Sequence, residues 1–412
     1  SSVQQRRTFA RVFQIEYSTP VIDDRELIVG KPCHRQLSKT EEQELLLLKE
    51  EYEASGFQVG GQGSHMAVDY ELLLKSGVSG VREHVVQLLR HCGSEADSAE
   101  FYENCIKELD AVIAYSQRYS RYASELAENC SDSQRCRELE QIAENCAKVP
   151  AEPAGCFREA LQSIHFLTMC LDGLYQIGRP DRYLIELYRQ DISSGPLSEE
   201  EAQELIDCLC LLFNEYVPKG LAVGFMVGGK DSSGIDVSNE LTRMFLHSIG
   251  HTRMIYPGIG LCWTDSTPDD VMEKSCELLA EGHSHPALFN DRIITEGMMH
   301  YGLPASEACE YVHSTCVEIT PIACSAVWVA SPYINLPAIL LEVLNGAGAS
   351  GREPNTYEEL KRLYRACLSA KIAEEAQIQN TIQRDRSLHG GDPLVSCFVS
   401  DCLDRGLDVD RG

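Results

Sequence analysis

The chain has 412 residues, with 63 Asp and Glu against 36 Lys and Arg, so its formal net charge at pH 7 is −27. At about 150 residues per domain, this length allows two or three units or one large α/β domain. Hydrophobic residues make up 43% and charged residues 24%, enough for a large core, which argues against disorder. The acidic balance repels phosphate backbones and anionic lipid surfaces, so we expect neither a nucleic-acid partner nor a membrane partner.

The cysteines and the most apolar stretch predict a cytoplasmic protein. The first 14 residues contain no apolar run that would make a secretory signal. Eighteen cysteines are scattered without framework spacing or a Cys-x-x-Cys pair, which favours reduced thiols in a cytoplasm such as that of an anaerobe. The stretch 319–341 is interrupted by Ser325, Ser331, Asn335, Pro332 and Pro337, so we expect a buried core segment there instead of a membrane span.

Apolar periodicity predicts helices in the first third of the chain. A capped helical pattern covers 40–55, and a glycine-rich break follows at 56–63. Three- and four-residue apolar spacings then predict a long helical region to about residue 150.

The pattern changes after Pro150, where helices and strands alternate. We expect a buried helix in 156–178 and another in 197–216, opened by a capping box at Ser198. Short apolar runs at 221–227 and 254–263 predict strands, and helices are predicted at 238–249, 268–281 and 304–312. The clearest loops are 347–356 and 389–394. This alternation predicts an α/β fold.

Most familiar catalytic templates are missing from the sequence. There is no Gly-x-Gly-x-x-Gly segment, no Walker loop and no Gly-x-Ser-x-Gly elbow. His283 and His285 could ligate a metal, although their spacing is not that of a standard pair and a loop is the simpler interpretation.

One segment, His-Ser-Thr-Cys-Val-Glu-Ile-Thr-Pro at 313–321, combines a thiol with a carboxylate. Cys316 and Glu318 are two positions apart, so in an extended loop their side chains would point to the same side. In a dry pocket the pKa of such a carboxyl is raised, and it can exchange protons near neutral pH. The same spacing at Cys136 and Glu138, on a polar helix, predicts no site. These residues alone leave open that Cys316 is a buried structural thiol beside a surface Glu318.

The segments around this motif resemble the glycyl radical enzymes, the family of pyruvate formate-lyase and of the radical diol and amine lyases. Eight pieces in family order carry the resemblance across almost the whole chain: 23–30, 63–65 with 69–71, 158–162, 177–184, 227–229 with 239–241, 289–291, 316–318, and 333–336.

The resemblance implies a role for each residue of the Cys-x-Glu motif. Cys316 would become a thiyl radical that takes hydrogen from a substrate C–H bond, and Glu318 would be the acid/base. Pyruvate formate-lyase-type enzymes carry a second cysteine where this chain has Val317, so acyl transfer to coenzyme A is not expected. The Cys-x-Glu type belongs to dehydratases, C–N and C–S lyases and arylacetate decarboxylases.

We therefore expect the catalytic subunit or half of a radical lyase that eliminates water, an amine or a similar group from a small molecule. An arylacetate-type decarboxylase is an alternative, and a non-catalytic binding or scaffold relative is an alternative of another class. His65, Asp69, His165 and Thr320 are candidates for substrate contact, and a buried, hydrogen-bonded structural role is the competing interpretation for such polar groups.

The sequence departs from the family pattern at three points, which concern the cysteine loop, the substrate and the radical glycine. Thr315 replaces the usual glycine before the cysteine, which reduces backbone freedom. The region 328–331 lacks the acid that several polyol-binding relatives place there, so a less polar substrate gains support. Nothing in the chain matches the family's Arg-Val-x-Gly-Tyr segment, whose glycine stores the radical.

The resemblance therefore implies the first half of the family's ten-stranded α/β barrel. We expect an N-terminal helical region at 1–150 and a half-barrel with the Cys316 loop at 151–412. The chain itself would bind no cofactor. A missing half or a partner polypeptide would supply the glycyl radical, installed by an S-adenosylmethionine iron–sulfur activating enzyme, and the assembly would be oligomeric. A naturally divided enzyme, a truncated chain and the ordered part of a longer protein all remain open.

Overall fold

The computed structural model describes residues 2–31, 37–54, 65–93, 96–171, 175–215, 223–314, 318–325, 334–346, 351–389 and 391–411. The predicted glycine-rich break at 56–63 and Cys316 itself lie outside the described residues.

Helices occupy most of the described part of the first 150 residues, as the apolar periodicity predicts, while 18–31 is described without a helix. The helices are α1 (Val3–Tyr17), α2 (Lys39–Ala54), α3 (Tyr70–His91), α4 (Ala96–Glu128) and α5 (Ser133–Lys148). Asp69 caps α3 and Asp132 caps α5 by accepting hydrogen bonds from backbone N–H groups of the first turn.

Strands and helices alternate in the rest of the chain, which confirms the α/β prediction. The helices are α6 (Phe157–Cys170), α7 (Pro180–Tyr183), α8 (Ile185–Ser194), α9 (Glu199–Glu215), α10 (Glu240–Thr252), α11 (Asp269–Ala280), α12 (Asp291–His300), α13 (Ala305–Ala308), α14 (Leu336–Leu344), α15 (Tyr357–His389), α16 (Pro393–Ser396) and α17 (Cys402–Arg405). The predicted capping box is present: Ser198 donates its backbone N–H to Glu201, and Glu201 donates its own to the Ser198 hydroxyl.

The described strands form two separate sheets. Strands β1 (Gly224–Gly228), β2 (Gly258–Trp263) and β3 (Ala287–Asn290) are parallel and lie in the order β1-β2-β3. Strands β4 (Tyr311–His313) and β5 (Ile319–Pro321) make an antiparallel hairpin in which His313 pairs with Ile319.

The predicted helix at 304–312 is wrong at its C-terminal end. Helix α13 ends at Ala308, and the chain enters β4 at Tyr311. Three residues are too few to show an alternating pattern, and β4 is held by pairing with residues of β5 further along the chain, such as Tyr311 with Pro321. Such pairing is decided by tertiary structure and not by local propensity.

The two faces of the parallel sheet contribute to different cores. Phe225, Val227, Ile259 and Leu261 point into a large cluster that also includes residues of the helical region, from Ile15 onwards. The opposite face contributes Met226 and Cys262 to a small cluster with Tyr311 and Val312 of the hairpin. The hairpin therefore packs on one face of the sheet, and the helices cover the other.

The apolar segment 319–341 is only partly buried where it is described. Ile339 and Val343 of α14 are buried, but Leu336, Leu340 and Leu341 are exposed. The prediction of a buried core segment is therefore wrong for these leucines, because no described part of this chain covers that side of the helix. Among the described residues, no helix is long and apolar enough to cross a membrane.

Candidate active site

The end of strand β1 is held by two charged side chains from the 177–184 segment. Arg179, which is almost completely buried, donates to the carbonyl oxygens of Gly228 and, at 3.3 Å, of Cys309. Its guanidinium lies 5.2 Å from the centre of the Tyr311 ring. Asp181 accepts the Gly228 N–H at 2.7 Å. The base of the hairpin is therefore attached to the end of β1 through a desolvated arginine.

A glycine next to this arginine leaves room for Asp291, a second side chain that holds strand β4. Gly229 has φ +80°, and a Cβ there would lie 2.8 Å from Arg179 Nη2 and 2.9 Å from Asp291 Oδ1. Asp291 accepts the Tyr311 hydroxyl at 2.8 Å. Three of the segments that carry the family resemblance thus meet in one network. Its effect is to fix strand β4, from which the loop with Cys316 begins.

The hairpin crosses the sheet where strand β2 has two glycines, Gly258 and Gly260. The His313 ring stacks on Phe289 with their centres 5.1 Å apart. A Cβ at Gly260 would lie 2.9 Å from His313 Cδ2 and 3.0 Å from Phe289, and Gly258 borders the same imidazole. Only residues without a side chain admit a histidine ring this close to the strand. Burial lowers the pKa of His313, which keeps the ring neutral near pH 7.

Ser314 and Glu318 close the loop at the end of the hairpin. The Ser314 N–H donates to the Glu318 carbonyl oxygen at 2.8 Å, and the Ser314 hydroxyl donates to Glu318 Oε2. Cys316 lies between them in sequence. That its thiol and the Glu318 carboxylate point to the same side stays a prediction, because Cys316 is not among the described residues. The Glu318 side chain is 44% exposed, so a small molecule can reach its carboxylate.

His65 lies beside this carboxylate. Its Nδ1 is 3.7 Å from Glu318 Oε1, and the imidazole is buried. The Thr320 hydroxyl donates to the His65 carbonyl oxygen at 3.3 Å, which fastens the segment before α3 to strand β5. The structure thus brings together three predicted site residues, His65, Glu318 and Thr320, although they come from distant parts of the sequence.

The other two predicted substrate contacts have different surroundings. Asp69 accepts the Leu72 N–H at 2.8 Å as the cap of α3, and burial raises the pKa of its carboxyl. His165 Nε2 lies 2.7 Å from the Gly30 carbonyl oxygen, and its ring packs near Phe213 inside the large core. Burial lowers the pKa of His165 to about 4. These contacts give both residues a structural task.

Sequence reasoning missed the residues that hold the site in place. Arg179 and Asp291 lie in segments that carry the resemblance, and His313 and Ser314 lie inside the 313–321 motif, yet none was assigned a role. The only available signal was charge and polarity inside apolar surroundings. The partners of such groups are backbone atoms far away in sequence, which no spacing rule identifies.

The described residues contain no group of three or more His, Cys, Asp or Glu side chains that could hold a metal ion. His283 Nε2 lies 3.5 Å from Glu281, and the His285 ring borders Gly258. The histidine pair considered in the sequence therefore has two separate environments.

Comparison with known proteins places this arrangement in a family. The model for pyruvate formate lyase-like proteins matches residues 39–412. The chain belongs to the pyruvate formate lyase-like family. The resemblance to glycyl radical enzymes is thereby confirmed.

Relatives with assigned activities include a dehydratase and a lyase. The chain is 29% identical to (2S)-3-sulfopropanediol dehydratase of Klebsiella oxytoca over 399 residues, covering 88% of this chain and 48% of the relative. It is 28% identical to isethionate sulfite-lyase of Nitratidesulfovibrio vulgaris, covering 87% of this chain and 47% of the relative. The chain thus spans about half the length of these relatives.

The fold of the chain agrees with that of a solved structure. A structure concerned with 1,2-propanediol dehydration in Roseburia inulinivorans matches with a TM-score of 0.90 at 24% sequence identity. The match covers 100% of this chain and 63% of the other. The prediction of an α/β fold of the glycyl radical enzyme barrel type is confirmed.

Proposed function

We propose that this chain provides the thiol and the acid/base group of a glycyl radical lyase or dehydratase. Its substrate would be a small molecule that loses water, an amine or a similar group. The observation that carries the proposal is the Glu318 carboxylate, held by Ser314 and adjacent to His65 at the end of the loop that contains Cys316. The activities of the Klebsiella and Nitratidesulfovibrio relatives, a dehydratase and a sulfite-lyase, support elimination chemistry.

The reaction would divide between the two residues of the motif. A glycyl radical in the rest of the protein or in a partner would supply the unpaired electron. That radical would take the hydrogen atom of the Cys316 thiol, and the resulting thiyl radical would take a hydrogen atom from a substrate C–H bond. Glu318 would accept a proton from the hydroxyl or amine on that carbon and give it to the neighbouring group, which leaves as a neutral molecule. Cys316 then returns its hydrogen atom to the product. The substrate has lost one neutral molecule, and both residues are restored.

His65 is suited to hold the substrate during these steps. Its Nδ1 is buried and has no hydrogen-bond partner among the described residues, and the Glu318 oxygen 3.7 Å away is beyond hydrogen-bond distance. A buried nitrogen of this kind gains a partner when a substrate hydroxyl or amine binds. Thr320 would support His65 through its backbone carbonyl. Asp69 and His165 are further candidates for substrate contact, each with the structural contacts described above.

A second half would complete the enzyme. The exposed leucines of α14, Leu288 of β3 and Ile293 of α12 are apolar side chains that a second half-barrel would cover. That half, either a continuation of the chain or a separate subunit, would carry the radical glycine. An S-adenosylmethionine iron–sulfur enzyme would install the radical, and the complete enzyme would be oligomeric. No cofactor would be bound by the present chain.

We also propose a division at about residue 150 and a cytoplasmic location. The helical region 1–150 would form an outer wall, and 151–412 the half-barrel. Every described cysteine is a free thiol, including the exposed Cys276 and Cys324, which supports a reducing compartment.

The decisive experiment uses the complete enzyme, activated without oxygen, and measures the glycyl radical by electron paramagnetic resonance before turnover. A panel of hydroxyl-, amine- and sulfonate-bearing compounds serves as substrates. We expect Cys316→Ser to abolish turnover with a normal radical yield, and Cys136→Ala, the matched control, to have no effect. Glu318→Gln should fold normally and lose about 10²–10⁴-fold in kcat, the usual contribution of an acid/base group.

Equal losses for Cys316→Ser and Cys136→Ala would remove the special role of Cys316. A fully active Glu318→Gln variant would exclude proton transfer by Glu318. An activated wild-type enzyme that turns over none of the panel would favour a binding relative without catalysis.

A further inference from the structure

Ser314 makes two hydrogen bonds to one residue, and both end on Glu318. Its N–H donates to the Glu318 carbonyl oxygen at 2.8 Å, which fixes the backbone across the loop. Its hydroxyl donates to Glu318 Oε2, which fixes the side chain. The other carboxylate oxygen, Oε1, is the one that lies nearest His65. The two oxygens of the same carboxylate therefore have different neighbours.

Ser314 is itself held in one position. It is completely buried, whereas the side chain that it contacts is 44% exposed. Its carbonyl oxygen accepts a hydrogen bond from His313 Nδ1, so the proton of that neutral ring is on Nδ1. The His313 ring is fixed in turn by the stack on Phe289 and by the close approach of Gly260. A rigid support of this kind is what a catalytic group requires to keep its geometry.

We propose that Ser314 is a positioning residue that orients the Glu318 carboxylate for proton transfer, with His313 as its support. The inference rests on the proposed function of Glu318. The hydroxyl holds Oε2, which turns Oε1 toward His65, the side on which the substrate would bind. A hydroxyl that donates to a carboxylate also stabilises the ionised form of that carboxylate.

The first test compares Ser314→Ala with Ser325→Ala in the complete, activated enzyme. Ser325 is the matched control. It follows the same hairpin in the sequence, but its hydroxyl donates to the Pro321 carbonyl oxygen. We expect Ser314→Ala to lower kcat about 10- to 100-fold, the order of loss seen when a catalytic group is misplaced by about 1 Å. KM should change little, and the limb of the pH–rate profile that reports Glu318 should move to higher pH.

A double-mutant cycle separates positioning from a general effect on the hairpin. If Ser314 acts through Glu318, Ser314→Ala should cost little further activity in the Glu318→Gln background. Equal losses in the two backgrounds, or a pH profile identical to that of the wild type, would overturn the proposal.

A measurement without turnover distinguishes this proposal from the proposed function. In the complete but unactivated enzyme, the ¹³C carboxyl resonance of Glu318 is assigned by its loss in Glu318→Gln. Its titration midpoint should be higher in Ser314→Ala and unchanged in Ser325→Ala. If the wild type forms its radical but turns over no substrate, the proposed function fails while this titration still decides whether Ser314 controls the carboxylate. An unchanged midpoint in Ser314→Ala would show that it does not.

Discussion

The outer and inner faces of the three-stranded sheet differ in composition although they alternate along the same strands. The outer face presents Phe225 and Leu261, and the Phe225 ring lies 4.9 Å from Phe245 of α10. The inner face presents Gly258, Gly260 and a few larger side chains below the hairpin. The outer face therefore packs large apolar side chains against the helices, while the inner face has glycines that leave room for the hairpin. The outer side of the sheet therefore contributes to the stability of the fold, and the inner side contributes to the geometry of the candidate site.

The largest effect on folding is expected from a cavity on the outer face. Leu261→Ala removes a completely buried side chain, which should lower the free energy of unfolding by about 2–5 kcal/mol. Leu288→Ala is the matched control, since Leu288 pairs with Leu261 in the neighbouring strand but is 42% exposed. Urea denaturation measures both. Similar losses for the two variants would show that the burial of Leu261 beneath the helices does not provide the stabilisation.

A smaller loss of stability, with a larger effect on the site, is expected from the inner face. Gly260→Ala places a methyl group 2.9 Å from His313 and 3.0 Å from Phe289, and overpacking of this kind costs about 1–3 kcal/mol. The shift of His313 should also lower kcat in the complete enzyme.

Gly297→Ala is the control for this substitution, because nothing lies within 4 Å of a Cβ at that position of α12. It should stabilise the helix by about 0.5–1 kcal/mol. If Gly260→Ala behaved in the same way, the hairpin would not be in contact with the strand.

A gradual, pH-dependent effect is expected where the helical region meets residues 391–411, because carboxyl groups are buried there. Burial raises the pKa of Glu108 to about 7 and that of Asp408 to about 6. Both values are above those of the unfolded chain, so their stabilisation is complete below about pH 4 and is lost as the pH rises to about 7. The free energy of unfolding should fall over this window by at most about 1.4 kcal/mol per pH unit for each carboxyl.

Denaturation of the wild type and of Glu108→Gln at several pH values tests this assignment. The amide of the glutamine cannot ionise, so the variant should show a shallower decline than the wild type. Identical slopes would mean that Glu108 does not titrate in the folded state within this range.

The contrast between the two faces also explains which features the sequence could predict. Long amphipathic helices such as α4 and α9 follow from their own periodicity, and the cap at Ser198 follows from three-residue spacing. Strands β3 and β4 were missed because they have four and three residues and depend on partners elsewhere in the chain. The Cys-x-Glu motif was recognisable as a candidate site.

The residues that hold this candidate site in place could not be recognised in the same way. The Ser314–Glu318 contact needs a closed loop, and the His65–Glu318 contact joins residues that are far apart in the sequence. Neither a period nor a motif encodes such distances. The family resemblance ordered the segments correctly, but only the three-dimensional arrangement shows that Arg179 and Asp291 fasten strand β4.

The packing of residues 391–411 on the helical region has a consequence for the order in which the chain can fold. The Leu394 N–H donates to Glu108 at 3.0 Å, and the Tyr102 hydroxyl donates to the Leu403 carbonyl oxygen at 2.7 Å, across a separation of 301 residues. Helix α4 therefore leaves the ribosome long before the segment that covers it. Contacts between such distant residues slow folding and leave intermediates with exposed apolar surface. Until residue 403 is synthesised, the surface around Tyr102 and Glu108 is open to chaperones, and synthesis of this stretch sets the earliest time at which the helical region can close.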